Sequence, residues 1–202
     1  SAYAFNGNDF ISTSSPGPLG NEARTISVWS KTTNAKSQAM VSWGEGYAAS
    51  FAAALSVGAE GVSPDIQNGV RTYDANVDDG KWHHYVYVVP GIQDARLEDI
   101  QVYQDGVKLA RQVYSQNNNH IINTSDHRPI VIGHWPESQF GFDGVIDDIS
   151  IYERALSESE IQSLYNNQTS DISKGTLHFT PAANQHGQAT ISVTVEDGGL
   201  DN

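Results

Sequence analysis

The chain has 202 residues, enough to bury a substantial core within one large domain. Its 11 Lys and Arg against 24 Asp and Glu leave a formal charge of −13, which argues against nucleic acid and anionic membranes as partners and favours cations, calcium above all. The absence of cysteine excludes disulfides, thiolate zinc sites and cysteine nucleophiles, and no run approaches the ~20 apolar residues of a membrane-spanning helix.

Short apolar and polar alternations, broken by Gly, Asn, Asp and Pro, predict an all-β antiparallel sandwich. The predicted strands are AYAFN (2–6), TISVWSKT (25–32), AMVSWGE (39–45), YAASFAAALSV (47–57), GVRTYD (69–74), WHHYVYVVP (82–90), DIQVYQDG (99–106), VKLARQVY (107–114), RPIVIGHW (128–135) and VIDDISIYE (145–153). Two facing sheets accommodate them. Alternation in the sixth puts Trp82, His84, Val86 and Val88 on one face and His83, Tyr85, Tyr87 and Val89 on the other, an amphipathic surface of the kind a ligand-facing sheet presents. Asp105-Gly106 between two alternating runs predicts a type I′ hairpin.

One helix is predicted from about 158 to 166, because Ser157 and Glu160 form a capping box and Leu156 and Ile161 have hydrophobic-staple spacing. Ile161, Leu164 and Tyr165 share one side of it. After YNNQTSD the character changes to two strands around a Pro/Asn/Gly turn and an acidic tail. A boundary near Asp171 therefore divides a domain of residues 1–170 from a small β-hairpin segment, 171–202, which either packs on that domain or belongs to a following repeat. The first residues do not read as a signal peptide, so the whole reads as a module from something longer, and its abundance of Asn, Gln, Ser, Thr and Gly with few Lys fits an extracellular β protein.

In series, AFNGNDFI, TISVWSKT, VSWGEG, DGKWHHYVYVV, QVYQDGVKLA, VIGHW and FDGVIDDISIYERALSESEIQSLY resemble laminin-G-like (concanavalin A-like lectin/glucanase) jelly-roll domains over residues 2–168. LHFTPAANQHGQATISVTVEDGGLDN (177–202) is similar to the last strands of cadherin-like tandem repeats in giant bacterial adhesins of the RTX type, where acidic residues at domain junctions bind calcium. Together the resemblances imply a monomeric binding module within a long, calcium-stiffened adhesin at the bacterial cell surface.

The acids of FDGVIDDISIY sharpen the calcium expectation. Strict alternation places Asp147 and Asp148 on opposite faces, so one of them must point towards the core side. A buried carboxylate is costly unless paired, and no Lys or Arg lies between Arg128 and Arg154. Ca²⁺, with six to eight oxygen ligands at about 2.3–2.6 Å, resolves the conflict. Asp143 and Asp147 are then candidate ligands, with Asn6 or Asp9 completing the shell, and the resemblance implies a calcium near this junction. The other reading has Asp147 accepting backbone N–H groups and Asp143 capping a turn. Asp78 and Asp79 in VDDGKW read as a turn, while Glu196, Asp197 and Asp201 resemble a calcium linker between repeats.

A sugar presents a C–H face and hydroxyls, so aromatic platforms beside amide, hydroxyl and carboxylate groups would hold it. The candidates are Tyr47, Arg71, Tyr73, His83, Tyr85, Tyr87, Tyr103, His134 and Trp135, whereas Trp29, Trp43 and Trp82 read as core. The paired carboxylates of a glycosidase strand are absent, Glu45 and Glu60 are isolated, and His83 and His84 face opposite ways and make no zinc pair. The expected function is calcium-dependent adhesion without catalysis, to a cell-surface glycan or to a protein or peptide segment. The alternative is a spacer rigidified by calcium that binds nothing.

Overall fold

The computed structural model describes residues 2–45, 49–56, 61–66, 69–117, 119–135, 140–166 and 190–191. Among these residues two sheets pack face to face, with one α-helix outside them. Sheet A runs β1 (Tyr3–Asn6), β13 (Asp143–Tyr152), β3 (Arg24–Lys31), β8 (His83–Val89), β9 (Gln101–Gln104), β10 (Val107–Lys108). Sheet B runs β11 (Gln112–Gln116), β7 (Gly69–Asp74), β6 (Gly61–Ile66), β5 (Ala49–Ser56), β4 (Gln38–Glu45), β12 (Val131–Ile132), β2 (Ile11–Thr13), β14 (Thr190–Ile191). All neighbours are antiparallel except β14 beside β2. The rest of the predicted 171–202 hairpin lies outside the described residues.

The jelly-roll sandwich follows the expected class, with two local corrections. The predicted strand 107–114 breaks into β10 and β11, which belong to different sheets. β2 and β6 were not foreseen: β2 is only three residues long, and β6 carries Gly61 and Pro64, which mask its alternation. The Asp105-Gly106 turn closes β9 and β10 with both residues at positive φ, 52° and 77°, as a type I′ turn requires.

The amphipathic face of β8 turns inward, against the expectation of a ligand-facing surface. Tyr85, Tyr87 and Val89 lie in the core with Ile26, Val28, Trp43, Val62, Ile66 and Tyr73. Their phenols are tolerated because internal carbonyls accept from them: Tyr73 donates to Ile100 O at 3.1 Å and Tyr85 to Asn76 O at 3.4 Å. The opposite side of β8, Val86 and Val88, packs with Tyr103, Tyr152, Leu156 and Ile161 beneath α1 (Glu158–Tyr165).

Ser157 and Glu160 cap that helix reciprocally. Thr25 Oγ1 pins its entry by donating to Arg154 O at 2.8 Å and accepting from Leu156 N at 3.0 Å. At its far end Tyr165 stacks on Trp29 and His84 with centroids at 5.8 and 6.2 Å. Trp29 is thus a half-buried helix contact, and Trp82, just before β8, is 39% exposed, so of the three tryptophans read as core only Trp43 is fully so.

The acids of β13 are accommodated by a β-bulge. From Asp147 to Ser150 the strand advances three residues while its partner β3 moves only from Trp29 to Ser27, and Asp148 takes φ +45°. The extra residue shifts the alternation, so Ile146 faces the core before the bulge, and Ile149 and Ile151 pack against it after. Asp148 is exposed, and half-buried Asp147 accepts from Asp148 N through Oδ1 at 2.9 Å. Neither acid is forced into the core, which removes the conflict that the strict alternation implied.

Asp148 occupies a conformation that β-branched residues avoid. Asp148→Val is therefore expected to destabilise by about 1–3 kcal/mol while Asp148→Gly costs little or stabilises, as read from urea midpoints at constant m. Equal losses for the two variants would contradict a left-handed bulge.

Candidate functional site

The four residues expected to share a calcium do not form one shell. Asp143 and Asp147 are four residues apart on β13, a separation of ~13 Å at strand rise, whereas ligands of one Ca²⁺ stand about 2.3–2.6 Å from it. Among the described residues no three His, Asp or Glu side chains converge as a metal group. Asn6 and Asp143 are register partners, and the loop carrying Asp9 leaves β1 at Gly7, whose N–H donates to Phe142 O at 2.8 Å. This corner is rich in oxygen but already organised by protein. Asn6 Oδ1 accepts from Asn8 N at 2.9 Å, and Asp143 Oδ2 accepts from Asn34 Nδ2 at 3.0 Å. Asp147 lies four residues along β13 from this corner and takes no part in it. Asp79 behaves as a turn residue: the Lys81 N–H, 2.8 Å from Oδ1, is the first of the contacts that hold its carboxyl below the usual range.

The residues expected to bind ligand are not gathered on one face. Tyr73, Tyr85 and Tyr87 are core, and Tyr103 is buried under α1, where its hydroxyl donates to Gln101 Oε1 at 2.9 Å. Arg71 lies on the core side of β7, its guanidinium 5.4 Å from the Tyr73 ring centre and donating to Glu98 O. His83 sits at the end of β8 between Asp105, at 2.7 Å, and Asp79, at 3.3 Å. His134 packs near Phe10 with centroids at 6.0 Å, and burial lowers its imidazole pKa. Trp135, only 6% exposed, closes over Ala39 and Ala52 as a wall rather than a platform. Tyr47 lies outside the described residues.

A different set converges on the outer face of sheet B. Alternation sends Val62, Ile66 and Tyr73 inward, and hence Ser63, Asp65, Val70 and Thr72 outward. The Ser63 and Thr72 hydroxyls, both buried, bond each other at 2.8 Å, confirming the shared face. Edge strand β11 extends it, with Tyr114 opposite Thr72 and Gln116 opposite Val70. Tyr114 is 45% exposed, and its hydroxyl donates to Gln116 Oε1 at 3.2 Å. Two strands inward, ~10 Å away, half-buried Asp65 stands between register partners Val70 and Ala52.

Among the described residues the Asp65 side chain has no hydrogen-bond or ion-pair partner, and burial pushes its carboxyl up to about 7. The patch therefore offers an aromatic ring, an amide, a small apolar floor and a carboxyl with no partner among the described residues. Sequence reasoning missed it for two reasons. Proline hid β6, and a register shift between Gln112 and Tyr114 disguised which side of β11 faces out.

A family model described as the concanavalin A-like lectin/glucanases superfamily (Laminin_G_3) matches residues 5–162. A heptameric SAP-like pentraxin from Limulus polyphemus superposes with TM-score 0.62 at 15% identity, covering 81% of each chain. Domain 4 of an extracellular arabinanase from Geobacillus stearothermophilus, solved with arabinotriose, superposes with TM-score 0.58 at 20% identity over 81% of this chain and 76% of that one. A zebrafish (Danio rerio) adhesion G-protein coupled receptor V1 is 30% identical over 82 residues, 41% of this chain, which spans about 1% of that receptor's length.

The raised carboxyl gives a pH signature. Since the folded pKa of Asp65 lies above its ordinary 3.8, its contribution to stability is complete below about pH 4 and is lost as pH rises through about 7. Each pKa unit realised is about 1.4 kcal/mol, or ~2–4 °C in Tm for a chain of this size. Asp65→Asn is expected to gain Tm relative to the parent between pH 5 and 8, followed by calorimetry. A difference that does not change with pH would contradict the assignment.

Proposed function

Because the chain belongs to the concanavalin A-like lectin/glucanases superfamily, we propose that it is a non-catalytic glycan-binding module of an extracellular adhesive protein, with its sugar site on the outer face of sheet B. The observation that carries this reading is Asp65, a carboxyl with no partner among the described residues, on the same face as the exposed Tyr114. A sugar ring laid on Tyr114 places its C–H face against the phenol and its hydroxyls towards Gln116 and Asp65. The fold relative captured with arabinotriose supports carbohydrate as the ligand class.

The parent in this proposal is a long bacterial surface adhesin of the RTX type, supported by the resemblance of residues 177–202 to its repeats. Calcium enters as a brace at the Asn6, Asp9 and Asp143 corner, supplying charge neutralisation to oxygen donors there, and takes no part in holding the sugar. No helix among the described residues is long and apolar enough to cross a membrane.

A glycan array with and without calcium, followed by calorimetric titration of the best hit, tests this. Tyr114→Ala is expected to weaken binding ~5–30-fold, the equivalent of about 1–2 kcal/mol for a lost stacking contact. EDTA is expected to leave affinity unchanged while lowering Tm by several degrees. An array that retains no glycan would favour the spacer reading, and affinity abolished by EDTA would place calcium in the sugar site.

A further inference from the structure

At one end of the sandwich a cleft of about 630 Å³ opens between the 94–96 and 119–123 segments. Its frame is rigid. Ile122 N donates to Ala95 O at 2.8 Å and Leu97 N to His120 O at 3.1 Å, while Gly20 and Thr124 exchange both backbone bonds on the other side. Behind that wall the fully buried Arg24 donates to Pro18 O at 2.6 Å and to Thr124 Oγ1 at 2.9 Å and lies over the Trp43 ring at 5.6 Å. A frame fixed before binding spares a ligand the entropy of ordering it.

The lining is chemically specific. Asp94, held at φ +55°, has no side-chain hydrogen bond or ion pair with another described residue. Arg96, two residues on, donates from Nη1 to Asn119 O at 2.7 Å and pairs with no carboxylate among the described residues. Two charges of opposite sign thus line one cleft without neutralising each other. Asn21 and Asn119 add side-chain amides that offer a donor and an acceptor each, the complement of a peptide group, and Ile121, 41% exposed, adds an apolar wall.

We propose that this cleft binds a short peptide segment carrying charges of both signs, its carboxylate on Arg96, its cation on Asp94 and its backbone amides on Asn21 and Asn119. A neutral sugar leaves both charges unused, and a ligand of one sign meets repulsion from the like-charged residue. Guanidinium and carboxylate form a charge-assisted, forked pair, and the −13 charge of the chain draws the cationic end in.

The test is titration of the isotope-labelled chain with three capped pentapeptides, Ac-Gly-Lys-Gly-Glu-Gly-NH₂ and its Lys/Lys and Glu/Glu counterparts, with a neutral oligosaccharide as control. The mixed peptide is expected to shift the His120 and Ile121 amides and to bind at least tenfold more tightly than either single-sign peptide. Arg96→Gln and Asp94→Asn should each erase that preference; both side chains lie at the surface, and Asn tolerates positive φ, so circular dichroism should remain native. Shifts at these amides from the oligosaccharide, equal affinity for all three peptides, or no shift at millimolar peptide would overturn the proposal.

Discussion

The seal that α1 makes on sheet A decides which way this sandwich faces. Leu156 and Ile161 close over Val86, Val88, Tyr103 and Tyr152, and each such side chain removed from water contributes about 1.5–3 kcal/mol. The stack of Tyr165 on Trp29 and His84 completes the cover. His84 shows how dry the layer is: burial lowers its imidazole pKa to about 4, and it stays neutral with Nε2 on Ser27 Oγ at 2.7 Å. On the far side of sheet B the Ser63 and Thr72 hydroxyls are themselves buried, Asp65 is half-buried, and edge strand β11 carries the exposed Tyr114.

The same logic of faces explains the acids of β13. A strict strand would drive Asp147 or Asp148 towards the core and require a counter-ion; the bulge spends one residue to step the alternation and keeps isoleucines inside. Charge that looked as if it needed a metal is handled by backbone geometry. The oxygens of the Asn6–Asp143 pairing lie at the far end of the β1 and β13 ladder from Tyr3 and Ile146.

How much was legible in the sequence follows from what alternation encodes. Locally complete signals read true: Asp105-Gly106 for the hairpin, Ser157 with Glu160 for the helix start, and the alternation of Gly69–Asp74 for β7. Alternation also separates the two sides of β8 correctly, yet it does not say which side is inner, because tyrosines serve a core as well as a ligand face once internal carbonyls accept their hydroxyls. For that reason Tyr85 and Tyr87 were expected on the surface. Asp65 and Tyr114 were invisible for the converse reason: Pro64 breaks the pattern of one strand, a register shift breaks that of the other, and their proximity exists only through cross-strand pairing.

The account stands on the outer face of sheet B being the ligand face. Paramagnetic relaxation from a spin-labelled oligosaccharide, mapped over the backbone amides of the intact chain, measures this directly. The predicted result is strongest broadening at Asp65, Val70 and Tyr114 with none along α1; broadening centred on Trp29, Trp82 or the helix would contradict it.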